Sequence, residues 1–110
     1  MSAESDFSAV ADRVLSRIGA ALDDSSADVD WMLNDGVLTI DCGEGGKIIV
    51  NRHLPNREIW AAGRSGGLHF RADAGRWRDT RSGDALESVL ARLLREQARA
   101  DVALPTLPAD

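Results

Sequence analysis

Apolar residues recur at Phe7, Val10, Ala11, Val14, Leu15, Ile18, Ala21 and Leu22, the spacing that lays one apolar stripe along an α-helix. This predicts a first helix over roughly residues 4–22. The period then changes from helical to alternating. Val29, Trp31 and Leu33 interleave with Asp28, Asp30 and Met32, as on a strand that buries one face. Asp35-Gly36 comes next, and the tightest hairpin turn needs positive φ at both central residues, which Asp and Gly tolerate. A two-residue loop there pairs Leu33 with Leu38, Trp31 with Ile40 and Val29 with Cys42, so that all six share a face. A slip of one residue would turn one apolar set outward, so the pattern itself selects this register. The same pairing sets Asp30 opposite Asp41.

A three-residue loop at Glu44-Gly45-Gly46 returns residues 47–53 beside the second strand, with Ile40 against Val50. Further strands are expected near residues 57–62, 67–72 and 76–80, with Leu68, Phe70 and Trp77 pointing inward. A second helix follows. Asp84 and Glu87 have the spacing of a capping box, and Leu86, Val89, Leu90, Leu93 and Leu94 form the buried stripe. Arg95 and Arg99 near its end suit the helix dipole. The order helix, six strands, helix predicts an α+β fold: a two-layer sandwich with both helices on one face of an antiparallel sheet and the other face open to water. The tail at residues 102–110 is short and proline-rich, which reads as a frayed end.

With 110 residues the chain has room for one domain around one core. Cys42 is the only cysteine, so no disulfide framework or zinc set is available, and a small buried residue in a reducing compartment is expected. No basic region precedes an apolar run, and no stretch approaches a membrane span, so a soluble cytoplasmic protein is expected. The net charge of -5 is unevenly spread: residues 1–46 carry ten acids against Arg13 and Arg17, whereas residues 47–110 carry eight acids against eleven bases. An acidic first half argues against nonspecific nucleic-acid binding and favours cations or a basic protein surface.

Two surfaces stand out. Asp23 and Asp24 fall at the C-terminal end of the first helix, where the helix dipole disfavours each by about 0.3–1 kcal/mol. Asp28 and Asp30 follow closely, and Asp30 faces Asp41, a like-charge pair that sheets ordinarily avoid. This edge reads either as a solvated acidic loop or as a cation site. Carboxylates without a cysteine or histidine cluster select hard cations, held here in a shallow, hydrated manner. On the open sheet face, parity gathers Asn51, His53, Trp60, His69, Arg71, Arg76 and Arg78, with Arg64 in the loop after Trp60. An aromatic ringed by polar and basic groups has the composition of an interface anchor. Arginines alone would read as solvated strand decoration, and the two histidines, on different strands, read as surface residues and not as metal ligands.

The stretch Asn51-Arg52-His53-Leu54-Pro55-Asn56-Arg57-Glu58-Ile59-Trp60, with Gly66-Gly67-Leu68-His69-Phe70 after it, resembles the bacterial frataxin family, the CyaY proteins, whose pattern reads N-x-Q-x-P-x-x-x-[IV]-W. His53 alone departs, standing where the family has glutamine. Leu22-Asp23-Asp24, residues 36–40, residues 47–50 and Arg81-Ser82-Gly83 extend the resemblance over nearly the whole chain. It implies the frataxin fold over residues 1–110 and iron, ferrous or ferric, weakly bound at Asp23, Asp24, Asp28 and Asp30. It also implies that Asn51 and Trp60, with His53 and Arg64 beside them, contact a cysteine desulfurase and an iron–sulfur scaffold protein. The expected role is that of an iron-binding accessory protein that regulates cluster assembly, a monomer that can self-associate with iron, with no catalytic residues. A ferroxidase-like enzyme and an iron-independent interaction module are the alternatives. Gly19 and Ala20 stand where relatives commonly carry glutamates, so fewer or weaker iron sites are expected. In frataxins the tail can lie between the helices, which implies that Leu104, with Leu107, closes the open end of the core.

Overall fold

A computed structural model describes residues 3–110. Helix α1 (Ala3–Asp23) is followed by strands β1 (Asp30–Asn34), β2 (Val37–Asp41), β3 (Lys47–His53), β4 (Glu58–Gly63), β5 (Gly66–Asp73) and β6 (Arg76–Asp79), then helix α2 (Leu86–Ala98). The strands pair antiparallel in the order β1 to β6, and both helices pack on one face of the sheet. Apolar periodicity is what places them there. Val14, Leu15 and Ile18 of α1 and Leu86, Val89, Leu90, Leu93 and Leu94 of α2 are buried with Leu38, Ile40, Ile48, Val50, Ile59, Phe70 and Trp77 of the sheet. No described helix is long and apolar enough to cross a membrane.

The first hairpin has the expected register, with Leu33 opposite Leu38, Trp31 opposite Ile40 and Asp30 opposite Asp41. Asp35 (φ 49°) and Gly36 (φ 76°) supply the two positive φ angles. The second hairpin differs from the expectation. Ile40 lies opposite Ile48, and Leu38 opposite Val50, because the turn is centred on Glu44, one residue earlier than expected. Cys42 N–H donates to the Gly46 carbonyl at 2.8 Å across a single 3-10 turn at Gly43–Gly45. The shift is two residues, so side-chain parity survives and Ile40, Ile48 and Val50 all remain fully buried.

The start of α2 is not built as a capping box. Its N-cap is Ala85, which makes no side-chain cap, and Glu87 is engaged elsewhere: its Oε2 accepts from Arg76 at 3.2 Å and from Leu107 N–H at 3.0 Å. Asp79 organises this corner instead, accepting from Ser82 Oγ at 2.8 Å and Ser82 N–H at 3.2 Å. Burial pushes the Asp79 carboxyl up, but these hydrogen bonds, one from the Arg81 backbone and the Arg81 charge outweigh it and hold the group below the usual aspartate range. Arg76 is also displaced from its expected place. Strand parity assigns it to the open face, yet from edge strand β6 its guanidinium reaches Glu87 on the helix layer.

The tail is an ordered part of the core. Leu107 is fully buried and Val102 nearly so, while Leu104 is only half-buried. Trp77 Nε1 donates to the Pro108 carbonyl at 3.1 Å, and Ala109 N–H to Gly75 O at 3.0 Å. Leu107, more than Leu104, fills the space under the helices. At the opposite end, Gln97 of α2 donates to the carbonyls of Gly45 and Lys47 and accepts from Arg64 N–H. A Cβ on Gly45 would overlap the Gln97 carbonyl, so this close approach requires glycine.

Candidate functional site

Strands β3, β4 and β5 set Asn51, Trp60 and His69 side by side in one row of the open face, and His53, Glu58 and Arg71 in the next. Parity alone dictates that these side chains share a face. Their packing is more specific. The Trp60 ring lies between two imidazoles, 3.7 Å from His53 at an interplanar angle of 10° and 4.2 Å from His69 at 8°. Trp60 is therefore half-buried, a plate held within the surface. The histidines cannot close on one metal ion, because the indole separates them.

Beneath this stack lies a carboxylate that sequence reasoning missed. Glu58 is 3% exposed although it points to the water-facing side of the sheet. It accepts from Trp60 Nε1 at 3.0 Å and from Arg71 at 2.6 Å, and His69 Nδ1 stands 3.8 Å away. The Trp60 hydrogen bond holds its carboxyl below the usual glutamate range; burial opposes this, and Arg71 and His69 reinforce it. The available signal was positional: Glu58 precedes Trp60 by two residues and so shares its face. His53 Nδ1 is buried without a hydrogen-bond partner. Asn51 Nδ2 donates to the Arg52 carbonyl at 3.3 Å.

Arg64 does not join this cluster. Its guanidinium donates to the Glu44 carbonyl, and it lines a cleft of about 410 Å³ with Asp28, Glu44, Gln97 and Arg99. Cys42 borders the same cleft. Burial, helped by the Asp41 charge, pushes its thiol up, which leaves it protonated and unreactive at neutral pH.

On the acidic edge, Asp23, Asp24, Asp28 and Asp30 are all exposed. Asp23 is not free, since its Oδ1 accepts from Trp31 Nε1 at 2.9 Å. The Trp31 ring lies against Gly19, where a Cβ would come within 2.8 Å of it. Asp41 Oδ1 accepts from Gly43 N–H at 2.9 Å. Asp12 lies 3.4 Å from Arg52, which also approaches Asp35 at 3.6 Å. Among the described residues no three of His, Cys, Asp and Glu converge to hold a metal ion. The edge thus offers hard oxygen donors without a preformed cage, a set that fits only shallow, hydrated cation binding.

A frataxin-like domain is matched by the chain over residues 1–100. The chain belongs to the frataxin family. It is 43% identical over 105 residues to the iron-sulfur cluster assembly protein CyaY of Ralstonia nicotianae, covering 92% of this chain and 93% of that protein. It is 48% identical over 96 residues to the CyaY of Dechloromonas aromatica, covering 86% and 91%. Among solved structures, frataxin from Psychromonas ingrahamii superposes with a TM-score of 0.83 at 33% identity, over 90% of this chain and 94% of that one. Trimeric frataxin from the yeast Saccharomyces cerevisiae, complexed with ferrous iron, superposes with a TM-score of 0.71 at 26% identity, over 82% and 86%. Within this frataxin framework the sheet and its two covering helices are family architecture, whereas the histidine–tryptophan–histidine stack is built by this chain's own His53, Trp60 and His69.

Proposed function

We propose that this frataxin is an accessory protein of iron–sulfur cluster assembly that docks through its open sheet face on a cysteine desulfurase and scaffold complex, and regulates assembly there. The cluster-assembly role rests on the naming of its CyaY relatives. The observation that carries the docking surface is the Trp60 stack: three aromatic rings and the buried Glu58 carboxylate paired with exposed Arg71, on the side of the sheet that no described helix covers. Exposed apolar residues gather on the same side. Met32 is 66% exposed and Val37 38%, both on the open face, and Leu54, 40% exposed, follows His53 at its border. An aromatic centre with apolar and arginine neighbours suits a protein partner.

Iron, as cargo or signal, is assigned to the exposed edge at Asp23, Asp24, Asp28 and Asp30, where Asp23 also accepts from Trp31 through Oδ1. Weak binding follows from exposure and from the lack of converging ligands. The CyaY relatives are named as cluster assembly proteins, which favours an accessory role over an iron-oxidising enzyme. The Trp31–Asp23 bond favours one second reading, an interaction module whose docking does not depend on iron.

Trp60→Ala tests the proposal. The variant is expected to keep its far-UV spectrum and to bind the purified desulfurase complex at least about tenfold more weakly, as for a central aromatic anchor. Equal affinity for variant and wild type would remove Trp60 from the interface.

A further inference from the structure

A buried carboxylate on the uncovered face of a sheet is costly unless its charge is met. Glu58 side-chain exposure is 4%, whereas that of Arg71 is 65% and of His69 49%. Glu58 therefore cannot itself present much surface to a partner, while the groups that it holds can. Both of its oxygens are used: Oε1 accepts from Trp60 Nε1 and Oε2 from Arg71. A Trp on an open strand would ordinarily be free to change rotamer, since no second layer confines it. Here the indole N–H is tied down to the sheet, and the two imidazoles can stack flat on the ring only while it stays so oriented.

We infer that Glu58 is the positioning residue of the docking face: its carboxylate fixes the Trp60 ring between His53 and His69 and aims Arg71 outward, so that a partner meets a preformed surface. This inference rests on the docking role proposed above. Preformation matters because ordering a large side chain at the moment of binding subtracts from affinity. It also follows that the indole N–H is spent within the protein and that both ring faces are covered. The partner then contacts the rim of Trp60 together with the outer sides of His53 and His69.

The test combines two readouts on the full chain: hydrogen exchange of the Trp60 indole N–H in the free protein, and affinity for the purified desulfurase complex. Glu58→Ala is expected to speed indole exchange and to weaken binding, each about tenfold, the scale of one charge-assisted hydrogen bond. Glu58→Gln keeps an acceptor and guards against misfolding of the alanine variant. Its Trp60 indole resonance should move upfield, toward a bond to a neutral acceptor, with a smaller loss of affinity. Glu58→Ala that binds like wild type while Trp60→Ala binds weakly overturns the positioning role and leaves the docking surface standing. Weakened binding with unchanged Trp60 exchange, or an unshifted resonance in Glu58→Gln, also overturns it. Wild-type affinity in Trp60→Ala removes the docking surface, and the positioning role with it.

Discussion

Gly19 and Trp31 show how one missing side chain shapes a surface. The indole lies where a Cβ on residue 19 would sit, and its N–H reaches Asp23 one helical turn further on. Gly19→Ala gains about 1 kcal/mol of helix propensity and forces the ring to shift, an overpacking cost of about 1–3 kcal/mol that a half-buried tryptophan can partly evade. Stability is therefore expected to change by no more than about 1 kcal/mol while the Trp31–Asp23 hydrogen bond is lost. Two-dimensional NMR reads this as an upfield move of the Trp31 indole N–H; a resonance that stays in place would contradict the contact. At this scale parity was a sound guide, since it placed Asn51, His53, Trp60 and His69 on one face. It did not disclose Glu58, because a carboxylate on a water-facing strand position is normally solvated. Its partners come from β4 and β5 together, Trp60 from one and Arg71 and His69 from the other, and no single-strand pattern shows that convergence.

The elements meet least predictably at the corner of β6, α2 and the tail. The proline-rich end has no periodicity to mark it as core. It is ordered by long-range bonds, from Trp77 to Pro108 and from Leu107 to Glu87, which no local pattern announces. The same bonds explain why Glu87 does not cap its own helix. Leu107→Ala is expected to destabilise the fold by about 2–5 kcal/mol, as for a fully buried leucine, with a smaller loss for half-buried Leu104→Ala. Urea denaturation of both variants checks the order, and a larger loss at Leu104 would reverse the account of the tail. The β2–β3 register failed for a related reason. Three glycines near a turn leave its centre open, and a two-residue shift keeps Ile40, Ile48 and Val50 inward.

For the whole molecule, two buried carboxylates make stability depend on acid. Glu58 and Asp79 both have folded-state values below the ordinary ones. Each therefore stabilises the fold above its unfolded value, about 4.3 for Glu and 3.9 for Asp, and that contribution is lost as pH falls through the lower folded value. Melting temperature is expected to change little between pH 7 and 5 from these two groups and to drop below about pH 4. Glu58→Gln combined with Asp79→Asn should flatten that acid limb; an equally steep limb in the double variant would place the acid sensitivity elsewhere.

The charge asymmetry also belongs to the whole molecule. Ten of the acids lie in residues 1–46, whereas the open face carries Arg71 and Arg78, so the proposed cation edge and the Trp60 centre of the proposed docking face differ in charge. They should be separable by mutation. The most direct measurement is the rate of cluster formation by purified desulfurase and scaffold, followed across a ferrous iron titration with wild type, Trp60→Ala, or Asp23→Asn combined with Asp24→Asn. Wild type should alter the rate, Trp60→Ala should lose most of that effect at every iron concentration, and the double aspartate variant should shift only its dependence on iron. A Trp60→Ala protein that alters the rate as wild type does would contradict docking through the open face.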